Sequence, residues 1–120
     1  MWAQENYQYA RIGLADGLSD LRIQDIIQDP YGYLWFATLD GLNRFDGYTI
    51  TNYFADTSIN SLPSNSIYSL FTDSKGELWI GTGNGLVKYN YSNQNFIRID
   101  TLSRMANTLI RIIKEDPDGN

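Results

Sequence analysis

The 120-residue chain contains no histidine and no cysteine. Without histidine it lacks the commonest general base, the commonest zinc ligand and the phosphoacceptor of a histidine kinase. Without cysteine it has no thiol nucleophile, disulfide or thiolate metal site, although this does not reveal its compartment. No apolar run in the sequence approaches the length that a membrane-spanning helix needs. Basic residues are scarce, with nine Lys and Arg against 14 Asp and Glu, a net charge of −5 and no basic cluster. That balance argues against phosphate-driven binding of nucleic acid. There is no D-x-D-x-D-G calcium loop. The N-terminus, Met1-Trp2-Ala3-Gln4-Glu5-Asn6, lacks the charged and apolar regions of a whole signal peptide. It suits the remnant of a trimmed leader cut beside Ala3, and equally a disordered terminus over residues 1–6.

What the chain does have is aromatic residues: three Trp, nine Tyr and five Phe. Apolar residues make up 42% and charged residues 19%, a globular composition. Aromatics fit the pleated, half-buried surface of strands, so they favour a β fold.

The sequence also repeats itself. "DPYGYLWFATLDGLNRFD" (Asp29–Asp46) moved forward by 44 positions falls on "DSKGELWIGTGNGLVKYN" (Asp73–Asn90). Asp29, Gly32, Leu34, Trp35, Thr38, Gly41 and Leu42 then meet identical residues. A third copy starts late, because Tyr9–Gly32 moved by 87 positions falls on Phe96–Gly119 without a gap. Arg11/Arg98, Ile12/Ile99, Ile26/Ile113, Asp29/Asp116, Pro30/Pro117 and Gly32/Gly119 coincide.

Each copy holds four strand signals. In the first they cover Ile23–Gln28, Leu34–Thr38, Leu42–Phe45 and Thr49–Phe54. In the second they cover Ile67–Thr72, Leu78–Thr82, Leu86–Asn90 and Asn95–Ile99. Asp29, Gly32, Asp73, Gly76, Asp116 and Gly119 suit tight turns in which Asp bonds its own backbone and Gly closes the turn. Gly41 and Gly85 mark hairpin turns after Asp40 and Asn84. "SLPSNS" (Ser61–Ser66) is the longer connection between units. Four antiparallel strands recurring every forty-odd residues mark an all-β fold, a β-propeller of four-stranded blades.

The expected division is a leader remnant over 1–6 and a strand over 7–12 that would complete the last blade of a ring. Blades then span 13–58 and 59–101, with a third begun over 102–120. About two and a half blades cannot close a ring, and open units need neighbours. The expectation is therefore a piece of a longer protein whose remaining blades complete the ring, or a fragment that self-associates to cover its open edges.

These motifs resemble two-component regulator propeller repeats, whose pattern runs approximately D-x-x-G-x-L-W-I-G-T-x-x-G-L-x-R-Y-D. The resemblance runs from about Gly13 to Asn120, with Ala37 in place of Gly and Asn90 in place of Asp. It implies the periplasmic sensor region of a hybrid two-component protein, with a membrane helix and histidine kinase downstream. It further implies an oligosaccharide ligand and control of polysaccharide-utilisation genes. The expected partners also include a second copy, through self-association of the fragment or a dimer of the full protein. Two alternatives stay open, a structural or protein-interaction propeller without a small ligand and a carbohydrate-active enzyme of propeller fold. No catalytic residue, cofactor or metal site is assigned within the chain.

Trp35 and Trp79 could form a sugar platform, but their recurrence between apolar residues points to core packing, together with Leu34, Leu78, Ile26 and Leu70. "TGNG" (Thr82–Gly85) resembles a phosphate loop but lacks the P-loop Lys-Ser/Thr, so it is a hairpin turn. Loops of successive blades converge at one end of a propeller. Here these are 16–22, 39–41, 61–66 and 83–85, which nominates Asp40, Asn65 and Asn84 as ligand contacts.

Overall fold

The computed structural model describes residues 13–99. The strand expected over 7–12 and the third copy from 102, with Asp116 and Gly119, lie outside those residues. Within them the chain forms two four-stranded antiparallel sheets. The first contains β1 (Ile23–Gln28), β2 (Leu34–Thr38), β3 (Gly41–Phe45) and β4 (Ile50–Tyr53), side by side in chain order. The second repeats that order with β5 (Ile67–Thr72), β6 (Leu78–Thr82), β7 (Gly85–Asn90) and β8 (Asn95–Arg98). β3 and β7 start one residue earlier than their apolar runs, because Gly41 and Gly85 already pair with Thr38 and Thr82. One turn of 3-10 helix, Leu14–Asp16, precedes the first sheet. The apolar pattern gave no signal for it.

The turns follow from the repeated Asp and Gly. Asp29 Oδ1 accepts the N–H groups of Tyr31 and Tyr33, and Asp73 Oδ1 accepts those of Lys75 and Glu77. Gly32 and Gly76 close these turns at φ +94° and +82°, a region that side chains resist. At the opposite end Thr38 Oγ1 donates to the Gly41 carbonyl and accepts the Asp40 N–H, and Thr82 does the same with Gly85 and Asn84. The threonine of each repeat thus closes its own hairpin. A register shift recurs between Ile23 and Asp25 and between Ile67 and Ser69, where β1 and β5 each take one extra residue.

Alternation along β2 splits its side chains between two cores. Leu34 and Phe36 join Leu18 on one side, whereas Trp35 and Ala37 point to the other. The Trp35 side packs against the second sheet in one core with Leu42, Leu70, Ile80, Val87, Tyr89 and Phe96. Trp35 is fully buried there, edge-on to Tyr89 at 4.8 Å and stacked on Tyr53 at 5.9 Å. Leu34, Leu70 and Leu78 are also buried.

Two residues assigned to the core by pattern differ. Ile26 is 47% exposed. It pairs with Phe36, so it lies on the side of the first sheet that faces away from the second. Leu70, one repeat later, is buried because the first sheet covers it. Trp79 is only half-buried for the same kind of reason: its side of the second sheet faces away from the first.

Candidate functional site

The four nominated loops meet at one end of the two sheets, joined by backbone hydrogen bonds. The Leu39 N–H donates to the Arg22 carbonyl at 3.2 Å, which ties the 39–41 turn to the connection entering β1. The Gly41 N–H donates to the Asn65 carbonyl at 2.7 Å, and the Gly83 N–H to the Ser66 carbonyl at 2.9 Å. One continuous rim therefore runs from 20–22 through 39–41 and 64–66 to 83–85. Gly41 must be glycine here. Its φ is +115°, and a Cβ would stand 2.9 Å from the Phe54 ring and 3.0 Å from Ser19 Oγ.

Each sheet also clamps its own incoming connection. Asn52 on β4 donates from Nδ2 to the Gly17 carbonyl at 2.8 Å. Arg98 occupies the matching place on β8 and donates to the carbonyls of Ser58, Ser61 and Leu62 and to Ser61 Oγ. The first clamp is reinforced by Asn43, which is buried, exchanges hydrogen bonds with Ser19 and accepts one from Asn52 Nδ2. The loops are thereby pre-ordered rather than free, a property that lowers the cost of binding.

The three nominated residues have different surroundings. Asp40 and Asn84 are exposed at the tips of their hairpin turns. Asn65 is exposed too, but its Oδ1 accepts the Ala55 N–H at 2.6 Å, so it also fixes the chain between the sheets. The structure brings Asn65 beside the Asp40-Gly41 turn and Ser66 beside the Gly83-Asn84 turn. An ion pair absent from the sequence-based reading stands on the same rim: Arg22 donates to both Asp20 carboxylate oxygens at 2.9 and 2.8 Å. The hydrogen bonds from Arg22 draw the Asp20 carboxyl down to about 2. Asp20 in turn raises the Arg22 guanidinium, with a smaller contribution from Asp40. The rim thus offers carboxylates, amides and one guanidinium, groups that recognise hydroxyls and other uncharged polar ligands by hydrogen bonds.

The opposite end is built for cohesion. Asp29 Oδ2 accepts both the Trp35 indole N–H at 2.8 Å and the Tyr91 hydroxyl at 2.7 Å. One buried carboxylate therefore joins a turn, a core tryptophan and the second sheet. Asp73 accepts the Trp79 indole N–H at 3.0 Å in the same way. Burial works to raise the Asp73 carboxyl, but the hydrogen bonds from Trp79, Glu77 and Lys75 outweigh it and hold it below the ordinary range. Tyr91 is pushed up by burial and by its bond to Asp29. Tyr89 is pushed up by burial and by its bond to Tyr53. The Asp-to-Trp link was visible as a constant spacing of six residues in both copies. Tyr91 was not, because Gly47 stands at that place in the first copy. Arg44 fills the space between the sheets, over the Tyr33 ring at 4.7 Å and donating to the Tyr89 hydroxyl at 3.1 Å.

The family model described as "Two component regulator propeller" matches residues 17–40 and 61–84, the same segments that build the paired connections and hairpins. The chain carries two-component regulator propeller repeats. Its sheets are propeller blades, stacked with the tryptophan side of one against the next. Among solved structures the chain resembles the extracellular domain of BT3049 from B. thetaiotaomicron, a protein assigned as a hybrid two-component system. That match has 36% identity and a TM-score of 0.67, over 73% of this chain and 13% of the other. The extracellular domain of BT4673 from the same organism matches at 25% identity and a TM-score of 0.63, over 72% of this chain and 13% of the other. Among curated proteins, Histidine kinase P4 of Formosa agariphila is 46% identical over 48 residues, which is 40% of this chain and 4% of that protein. The propeller repeats here thus span a small part of the length of these relatives.

Proposed function

We propose that the chain is part of an extracytoplasmic sensor propeller in a hybrid two-component signalling protein, and that it detects an oligosaccharide. The observation that carries this reading is the continuous polar rim of pre-ordered loops, 20–22, 39–41, 64–66 and 83–85, on blades of regulator-propeller type. A rigid scaffold with polar loops gathered at one end suits a ligand that presents several hydroxyls along its length. The likeness to extracellular domains of two-component systems supports a periplasmic location. The kinase-named relative supports a phosphorelay output from a part of the protein beyond these blades. The expected consequence of ligand binding is a change in transcription of polysaccharide-utilisation genes.

Calorimetry of the complete extracytoplasmic region against a panel of glycan fragments tests this. Saturable binding of one fragment class, weakened by Asp40→Ala and Asn84→Ala, supports the reading. Failure of every fragment to bind favours a propeller that serves protein partners. Turnover of a fragment by the region alone favours an enzyme.

A further inference from the structure

A second concavity lies at the far end of the blades, away from the connection rim. It is an open depression of about 270 Å³ lined by residues that include Tyr31, Lys75, Glu77, Lys88, Asn90 and Tyr91. The volume falls just under the roughly 300–1,000 Å³ of most small-ligand clefts, which limits it to one ring. Tyr31 is 67% exposed, although its own N–H and that of Tyr33 are fixed by Asp29. Its ring packs at 4.7 Å and a 50° tilt against Tyr91. Tyr91 is itself held by the buried Asp29 carboxylate. An aromatic face is therefore propped open on a rigid support.

The polar groups around that face are mixed in kind. The Glu77 carboxylate and the Lys88 ammonium meet at 3.3 Å, and Lys88 also stands 5.6 Å from the Trp79 ring centre. Lys75 makes no ion pair among the described residues. Asp73, two residues before it, is occupied by three N–H donors. The concavity so offers ammonium donors from Lys75 and Lys88 and a carboxylate acceptor from Glu77, beside an exposed tyrosine. That combination matches the two faces of a pyranose: an apolar C–H face for the tyrosine, and neighbouring hydroxyls that both give and accept hydrogen bonds.

We infer that this concavity is a second binding site, for a single pyranose ring stacked on Tyr31, with its vicinal hydroxyls held by Lys75 and Glu77. The site shares only its ligand class with the proposed function and lies at the opposite end of the blades. It spans the two blades, since Tyr31 belongs to the first and the other lining residues to the second. A sugar bound there bridges adjacent blades beside the Asp29–Tyr91 link.

The test is titration of the intact protein that carries this chain with methyl β-D-glucopyranoside, methyl β-D-galactopyranoside and methyl α-D-mannopyranoside, with acyclic sorbitol as control, read by saturation-transfer NMR and calorimetry. At least one pyranoside binds with contacts to tyrosine, and sorbitol does not. Tyr31→Ala and Lys75→Ala each weaken that binding by about tenfold, the loss of one good contact, while Thr57→Ala, an exposed position outside both sites, leaves it unchanged. Both substituted side chains are exposed, so circular dichroism should show the fold intact. No binding of any pyranoside, or binding that both substitutions leave unaltered, overturns the inference. Binding lost in Asn84→Ala but retained in Tyr31→Ala overturns it while leaving the connection-rim reading in place.

Discussion

Exchanging Asp29 for Asn keeps nearly the same shape but turns one acceptor oxygen into an NH2 donor. Oδ1 can still take the Tyr31 and Tyr33 N–H groups, so the turn survives. The other position then presents a donor to the Trp35 indole N–H, which is itself a donor and is fully buried. Tyr91 can adapt, because its hydroxyl accepts as well as donates. The cost therefore concentrates on the Asp29–Trp35 bond. A hydrogen bond to a charged group contributes about 1.5–3 kcal/mol, and a buried donor left unpaired costs about 1–3 kcal/mol. Asp29→Asn should destabilise by about 1–3 kcal/mol on those terms. Trp35→Phe removes the same bond and some ring volume, but keeps the contacts with Tyr53 and Tyr89. In the Trp35→Phe background the clash of donors is gone, so Asp29→Asn should cost less. A double-mutant cycle by urea denaturation of the intact protein should then give a coupling of about 1–3 kcal/mol. Additivity within about 0.5 kcal/mol would refute the reasoning, since it would mean that the carboxylate and the indole act independently.

Other consequences can be checked the same way. Gly41→Ala should destabilise more than Gly32→Ala: both have positive φ, but only the Gly41 site puts a new Cβ against Phe54 and Ser19; equal urea midpoints for the two would contradict this. Arg98→Ala removes the hydrogen bonds to Ser58, Ser61 and Leu62 and should cost about 1.5–3 kcal/mol, with faster amide exchange over 58–62 than in the wild type. Asp73 is held below its ordinary 3.8 in the folded state, so its contribution is present above that value and is lost as pH falls through the lower folded one. Asp73→Asn should accordingly narrow the gap in stability between pH 6 and pH 3, and an unchanged gap would contradict the assignment.

Strand positions were legible because alternation, Asp–Gly turns and a 44-residue echo all point the same way. β1, β2, β5 and β6 occupy the expected residues without shift. What the pattern could not convey is which face of each sheet meets a neighbour. Ile26 and Leu70 are equivalent in sequence, yet only Leu70 has the first sheet against it. The same ambiguity affected Trp35 and Trp79. Cross-sheet polar links were also hidden, because they join residues distant in sequence and need not recur. Tyr91 reaches Asp29 only in the second copy, and the Asn43–Asn52–Ser19 group exists only in the first. Of the nominated contacts, Asp40 and Asn84 could be placed from their turns alone. The structural duty of Asn65, and the Asp20–Arg22 pair beside Asp40, required the fold.

The central claim is that a ligand is read by the connection rim. Hydrogen–deuterium exchange of the intact protein, with and without each glycan fragment that binds it, tests this most directly. The account predicts slowed exchange over 16–22, 39–41, 61–66 and 83–85 in the presence of the cognate oligosaccharide. Binding that leaves all four segments unprotected for every fragment would contradict it.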